Sequence, residues 1–178
     1  MKRGCFCFLV MVFALAIPCM AQPQQAMNPA EGRVIKEVRH ELLMLPYFGV
    51  FDYIAFKVQG DTVTLLGTVV RPTLKSDAEN SIKHIEGVSK VVNQIEVLPP
   101  SPMDDRLRLE LFRTIYGFPA LEKYALGVQK PIRIIVRNGH VDLQGVVDSQ
   151  GDKDLVGIRA NSVSGIFAVN NNLVVSAP

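Results

Sequence analysis

Three histidines, His40, His84 and His140, are the residue types best suited to acid–base or metal chemistry near neutral pH, and their spacing serves neither. None stands in an H-x-H or H-E-x-x-H arrangement, and each falls on the polar side of its element, which places it in solvent. Paired carboxylates occur at Asp104-Asp105 and at Asp152/Asp154. Both pairs sit where helices are expected to begin, and negative charge there complements the helix dipole. Asp148, Asp152 and Asp154 do not follow the ligand spacing of an EF-hand loop. The chain has no G-x-S-x-G and no phosphate-cradling glycine loop, and its three cysteines, Cys5, Cys7 and Cys19, all precede residue 22. The expectation is a protein that is not an enzyme and carries no metal or cofactor.

Residues 1–21 read as a cleavable secretory signal. Lys2 and Arg3 form a positive start, and Cys5 to Ile17 is an uncharged apolar run. Pro18 ends the run, and Cys19-Met20-Ala21 offers small residues where a signal peptidase acts. The run is shorter than the ~20 residues that span a bilayer, which argues against an uncleaved anchor. A lipoprotein acylated at Cys19 is the alternative, although Pro18 is a poor residue to precede an acylated cysteine. Without the leader the chain holds 17 basic and 17 acidic residues and no thiol. That balance, with no polybasic tract, gives no reason to expect nucleic acid as a partner.

The helices and strands repeat. Sliding the chain by 78 residues aligns Phe56–Leu98 with Ile134–Ser176 without a gap, with 10 of 43 positions identical, Gly67/Gly145, Gly87/Gly165 and Asn93/Asn171 among them. Upstream the offset falls to 73, so the second copy carries five extra residues between Pro119 and Ile132. A period of this length means two sibling domains rather than a solenoid. In copy one, Val34, Ile35, Val38, Leu42 and Leu45 share a helical face that ends before Pro46. Two alternating strands follow, through Ile54, Phe56 and Val58 and then Val63, Leu65, Gly67 and Val69, with Gly60-Asp61 between them. In copy two Asn138-Gly139 takes that place and suits a tight hairpin. A second helix carries Leu74, Ala78, Ile82 and Ile85 or, behind an Asp148/Ser149 cap, Val156, Ala160 and Val163. A third strand runs through Val91, Ile95 and Val97 or Val169, Leu173 and Val175.

The fold class expected is α+β, with two αββαβ domains, each a three-stranded sheet with both helices on one face. The organisation is a signal at 1–21, a flexible segment at 22–31, a first domain at 32–98, a proline-rich spacer at 99–102 and a second domain at 103–176. The spacer is short and stiff, so the domains should touch or nearly touch. Six residues take structural roles. Gly67 and Gly145 are expected to make room for close helix packing. Gly87 and Gly165 are expected as left-handed helix C-caps. Asn93 and Asn171 point inward and should bond backbone.

Behind a signal peptide, this tandem arrangement resembles the BON domain, named for bacterial osmotic-stress and nodulation proteins. The resemblance rests on a strand ending in glycine (Val63–Val69; Val141–Val147), a helix, and then Gly-Val-x-x-Val-x-Asn-x-Ile at Gly87–Ile95 or Gly-Ile-x-x-Val-x-Asn-x-Leu at Gly165–Leu173. It implies a periplasmic or envelope-attached protein that helps maintain the cell envelope, often by binding phospholipid surfaces. It carries no catalytic positions across. Copy two departs from the pattern in its insertion and in having Asp152 where copy one has Leu74.

One helix has an apolar surplus. In copy two's first helix Leu107, Leu111, Ile115 and Phe118 make the core stripe, while Leu109, Phe112 and Tyr116 form a second stripe about 100° away, bordered by Arg106 and Arg113. That stripe can pack on the other domain, or it can meet a phospholipid membrane surface or another envelope protein. Arginine suits lipid phosphate because it grips it bidentately. The matching face of copy one carries Lys36, Arg39 and His40 instead. The expectation is lipid binding by the second domain, with a protein–protein adaptor as the alternative.

Overall fold

Alternating apolar residues become a hairpin in each half of the chain, and helices before and after it close over one face. The computed structural model describes residues 29–176, so the expected leader, its cysteines and residues 22–28 lie outside the described residues. The first half is α1 (Pro29–Leu43), β1 (Tyr53–Gln59), β2 (Thr62–Val69), α2 (Pro72–Ile82) and β3 (Lys90–Val97). The second is α3 (Pro102–Tyr116), a short 3-10 helix (Pro119–Tyr124), β4 (Ile132–Arg137), β5 (His140–Val147), α4 (Gln150–Asn161) and β6 (Ala168–Val175). Each half is an αββαβ unit with its hairpin antiparallel and its last strand parallel to the middle one. The repeat extends to the register: Val63 opposes Val91 as Val141 opposes Val169, and Leu65 opposes Asn93 as Leu143 opposes Asn171.

Two cores result. Val34, Val38 and Leu42 of α1 meet Leu74, Ala78 and Ile82 of α2 over Val63, Leu65, Val69 and Ile95. Leu107, Leu111 and Ile115 of α3 meet Val156 and Ala160 of α4 over Val141, Leu143, Val147 and Leu173. Burying one such large apolar side chain contributes about 1.5–3 kcal/mol, so each half has its own driving force.

The marked glycines answer to backbone rather than to helices. Gly67 and Gly145 sit within strands at φ +123° and +122°. A Cβ there would collide with the carbonyl of Tyr53 or of Pro131, on the neighbouring strand or at its entry. The expectation of room for a helix is therefore corrected. Gly87 and Gly165 have positive φ, at +95° and +88°, but they are not the helix caps. Lys83 and Ser162 occupy those positions, and each glycine lies in the turn that follows, against Val34 or against Met103 and Leu107. Asn93 and Asn171 tie sheet to helix. Their Nδ2 groups donate to Lys75 O at 2.8 Å and to Lys153 O at 2.7 Å, while their Oδ1 atoms accept from the amides of Ile95 and Leu173.

The two departures of copy two explain each other. The lengthened segment contains the 3-10 helix, whose Lys123 Nζ and Tyr124 Oη donate to Asp152 at 2.9 and 2.8 Å. Asp152 thus replaces the apolar Leu74 of copy one because it anchors the insertion to the start of α4, which Ser149 caps. Bonds from Lys123, and secondarily from Tyr124 and Ser149, hold the Asp152 carboxyl below its ordinary range against a smaller opposing effect of burial.

The halves touch through the segment between α1 and β1. Ile134 N donates to Val50 O at 2.9 Å, so this segment lies along the outer edge of β4. Arg133 donates to Gly49 O at 2.7 Å, and its guanidinium lies 4.4 Å from the Phe48 ring centroid. Val50 and Phe51 pack on the second core, and Glu96 pairs with Arg137 at 2.6 Å.

Candidate functional site

Helix α3 carries three different faces, and the residues that could meet a partner are those left after two faces are used by the fold. It starts at Ser101, whose Oγ accepts from Asp104 N, with Pro102 in the first turn. Its apolar face enters the core through Leu107, Leu111 and Ile115. A second, polar face clamps the β4–β5 hairpin. The Asp104 carboxylate is 1 % exposed and accepts from the amides of Asn138 and Gly139, both at 2.9 Å. Arg108, 3 % exposed, donates to Val136 O at 2.6 Å and pairs with Asp105. Asp104 was expected to serve the helix dipole, but its carboxylate is directed at the hairpin turn. Burial pushes this carboxyl up, yet the amides of Gly139 and Asn138, the Ser101 hydroxyl and the Arg108 charge together hold it below its ordinary value.

The second apolar stripe divides. Tyr116 is 6 % exposed and joins the core, where its hydroxyl donates to Ile132 O at 2.6 Å and accepts from Ile132 N at 3.1 Å. Burial raises its phenol pKa, with the Ile132 carbonyl and Arg133 acting the other way. Phe112 is half-buried, edge-on to Phe51 of the first half at 6.4 Å and 5.0 Å from the Tyr116 ring. Leu109 stays 49 % exposed, and Arg106 and Arg113 are exposed on either side of it. Spacings of three and four residues put Arg106, Leu109 and Arg113 on one outward row.

Beside this row is a cleft of about 450 Å³ between the halves. Leu109, Asp105 and Arg108 form one wall; Tyr47, Phe51 and Arg71 stand among those opposite. Tyr47 is 73 % exposed with φ at +65°, a left-handed conformation uncommon for a bulky residue. The Arg71 guanidinium stacks over its ring at 4.8 Å. Asp52, at the base, is buried and accepts from Val70 N at 2.8 Å and Gly49 N at 3.0 Å, which fixes the loop. Sequence reasoning missed Arg108, Arg133 and the loop 47–52. For Arg108 a signal existed, since it lies four residues after Asp104 and next to Leu107, on the buried side.

The histidines are exposed and apart, and among the described residues no group of three or more His, Cys, Asp or Glu side chains could hold a metal. Among the same residues, no helix is long and apolar enough to cross a membrane.

Two tandem αββαβ units, glycines at matched positive-φ positions and an asparagine latch in each define the class. The BON domain family matches residues 32–99 and 121–177, so the chain belongs to the BON-domain family. The second match starts at Leu121, leaving α3 outside it. Solved structures with similarity include the C-terminal domain of CdsD, a structural protein of the type III secretion system of Chlamydia trachomatis. That likeness has 15 % identity over 81 % of this chain and 98 % of the other, with a TM-score of 0.30. A second structure of CdsD, from the same organism, gives 14 % identity, 81 % and 92 % coverage and a TM-score of 0.29. No curated protein sequence matches the chain.

Proposed function

We propose that this chain is a non-enzymatic envelope-maintenance protein of the periplasm that binds anionic phospholipid surfaces through the outer face of α3. The carrying observation is the exposed Leu109 set between the exposed Arg106 and Arg113, on a helix whose Leu107, Leu111 and Ile115 are buried in the core. Leucine can enter the head-group region while flanking arginines take phosphate, the arrangement of an interfacial helix. Tyr47, lining the same cleft as Leu109, adds an amphipathic ring from the first half, and Phe112 supports the row from behind. Family membership supports an envelope role. The matching row of α1, Arg33, Lys36 and His40, has charge but no apolar residue, so the second half is the binding half.

Flotation with phosphatidylglycerol vesicles tests this. Binding should weaken as salt rises, because attraction to head groups is screened over about 10 Å at 0.1 M. A chain that stays in the soluble fraction at low salt is instead an adaptor for another envelope protein.

A further inference from the structure

Strand β1 forms one edge of its sheet, and the other half of the molecule shows what the matching edge accepts. There, the outer edge of β4 is met by the turn-rich loop of the first half through one main-chain bond, Ile134 N donating outward to Val50 O. Ile134 opposes Leu143 as Phe56 opposes Leu65, so the two hairpins share one register. In an antiparallel pair outward amides alternate, which directs the N–H groups of Ile54, Phe56 and Val58 away from β2. Among the described residues no strand pairs with β1 on that side.

At the Tyr53–Phe56 end of this edge lies a groove of about 420 Å³. Leu43, Ile54 and Phe56 line it, as do the cations Arg39, Lys130 and Arg133, and no acidic residue does. Lys130 is braced on the carbonyls of Ala125 and Gly127, and Arg133 on Gly49, so two of these charges are fixed in place. We propose that the β1 edge docks an extended, acidic segment of a partner protein, which joins the sheet as a fourth strand. Main-chain bonds to alternate residues supply the affinity, and the positive wall selects acidic side chains. A second copy of β1 is disfavoured as occupant, since it would bring the same cations to the groove. The inference is independent of lipid binding by α3, which lies on other residues.

The test uses the full chain and two synthetic eight-residue peptides, one alternating valine with glutamate and the other valine with lysine, without vesicles. The acidic peptide should bind saturably and slow hydrogen exchange at the amides of Ile54, Phe56 and Val58, leaving those of Ala55 and Lys57 unchanged. Arg39 is exposed, so Arg39→Glu should keep the melting temperature while weakening the acidic peptide roughly fivefold. Three results would overturn the proposal: no saturable binding, equal affinity for the two peptides, or protection elsewhere than at those alternate amides. Protection of the same amides by self-association alone would also overturn it, by naming a second copy as the occupant.

Discussion

At the scale of single residues, backbone geometry decides more than side-chain chemistry. Glycine at 67 and 145 is set by a facing carbonyl and by φ near +120°, so an added methyl group meets both a clash and a strained conformation. Gly67→Ala and Gly145→Ala should each lower unfolding stability by more than about 1 kcal/mol, read from denaturant midpoints. Unchanged midpoints would mean the strand can move aside. Asp104 makes a pH-dependent contribution. Its folded pKa is depressed, so its stabilisation is present in full above the unfolded value of about 4 and is lost as pH falls through the folded value. Asp104→Asn should therefore cost about 1–3 kcal/mol at pH 7, with the gap to the native chain narrowing in acid. A gap that is constant with pH would show that the carboxylate charge has no part in holding the hairpin turn.

At the scale of elements, much was legible in the sequence. Period-two alternation located the strands, the 78-residue offset located their partners, and the register follows it throughout. The fate of the second stripe on α3 was not legible, because residues about 100° from a core stripe can turn either way. What decides is the neighbour: the Ile132 backbone offers Tyr116 a donor and an acceptor, and Phe51 of the first half reaches Phe112. Contacts between halves leave no periodic trace in a sequence, which is also why the loop 47–52 escaped notice. Tyr116→Phe should cost about 1–3 kcal/mol, since it strands both buried groups of Ile132. Phe112→Ala should cost a similar amount, less than a fully buried phenylalanine, because the ring is only half-covered. Thermal melts of both variants check this, and a neutral Phe112→Ala would mean that its ring contributes nothing to the contact between halves.

At the scale of the whole molecule, duplication produced two like frames that have since been put to different uses. The first half lends its loop to the edge of β4 and one wall to the cleft; the second bears the helix with an exposed leucine between arginines. The central claim is that this row binds anionic phospholipid, and charge reversal examines it most directly. Arg106→Glu combined with Arg113→Glu should abolish co-flotation with phosphatidylglycerol vesicles and leave the melting temperature nearly unchanged, since exposed charges contribute little to stability. The same reversal at Arg33 and Lys36 on α1 should leave flotation largely intact. Native-level flotation of the Arg106/Arg113 double variant, with its fold preserved, would contradict the account.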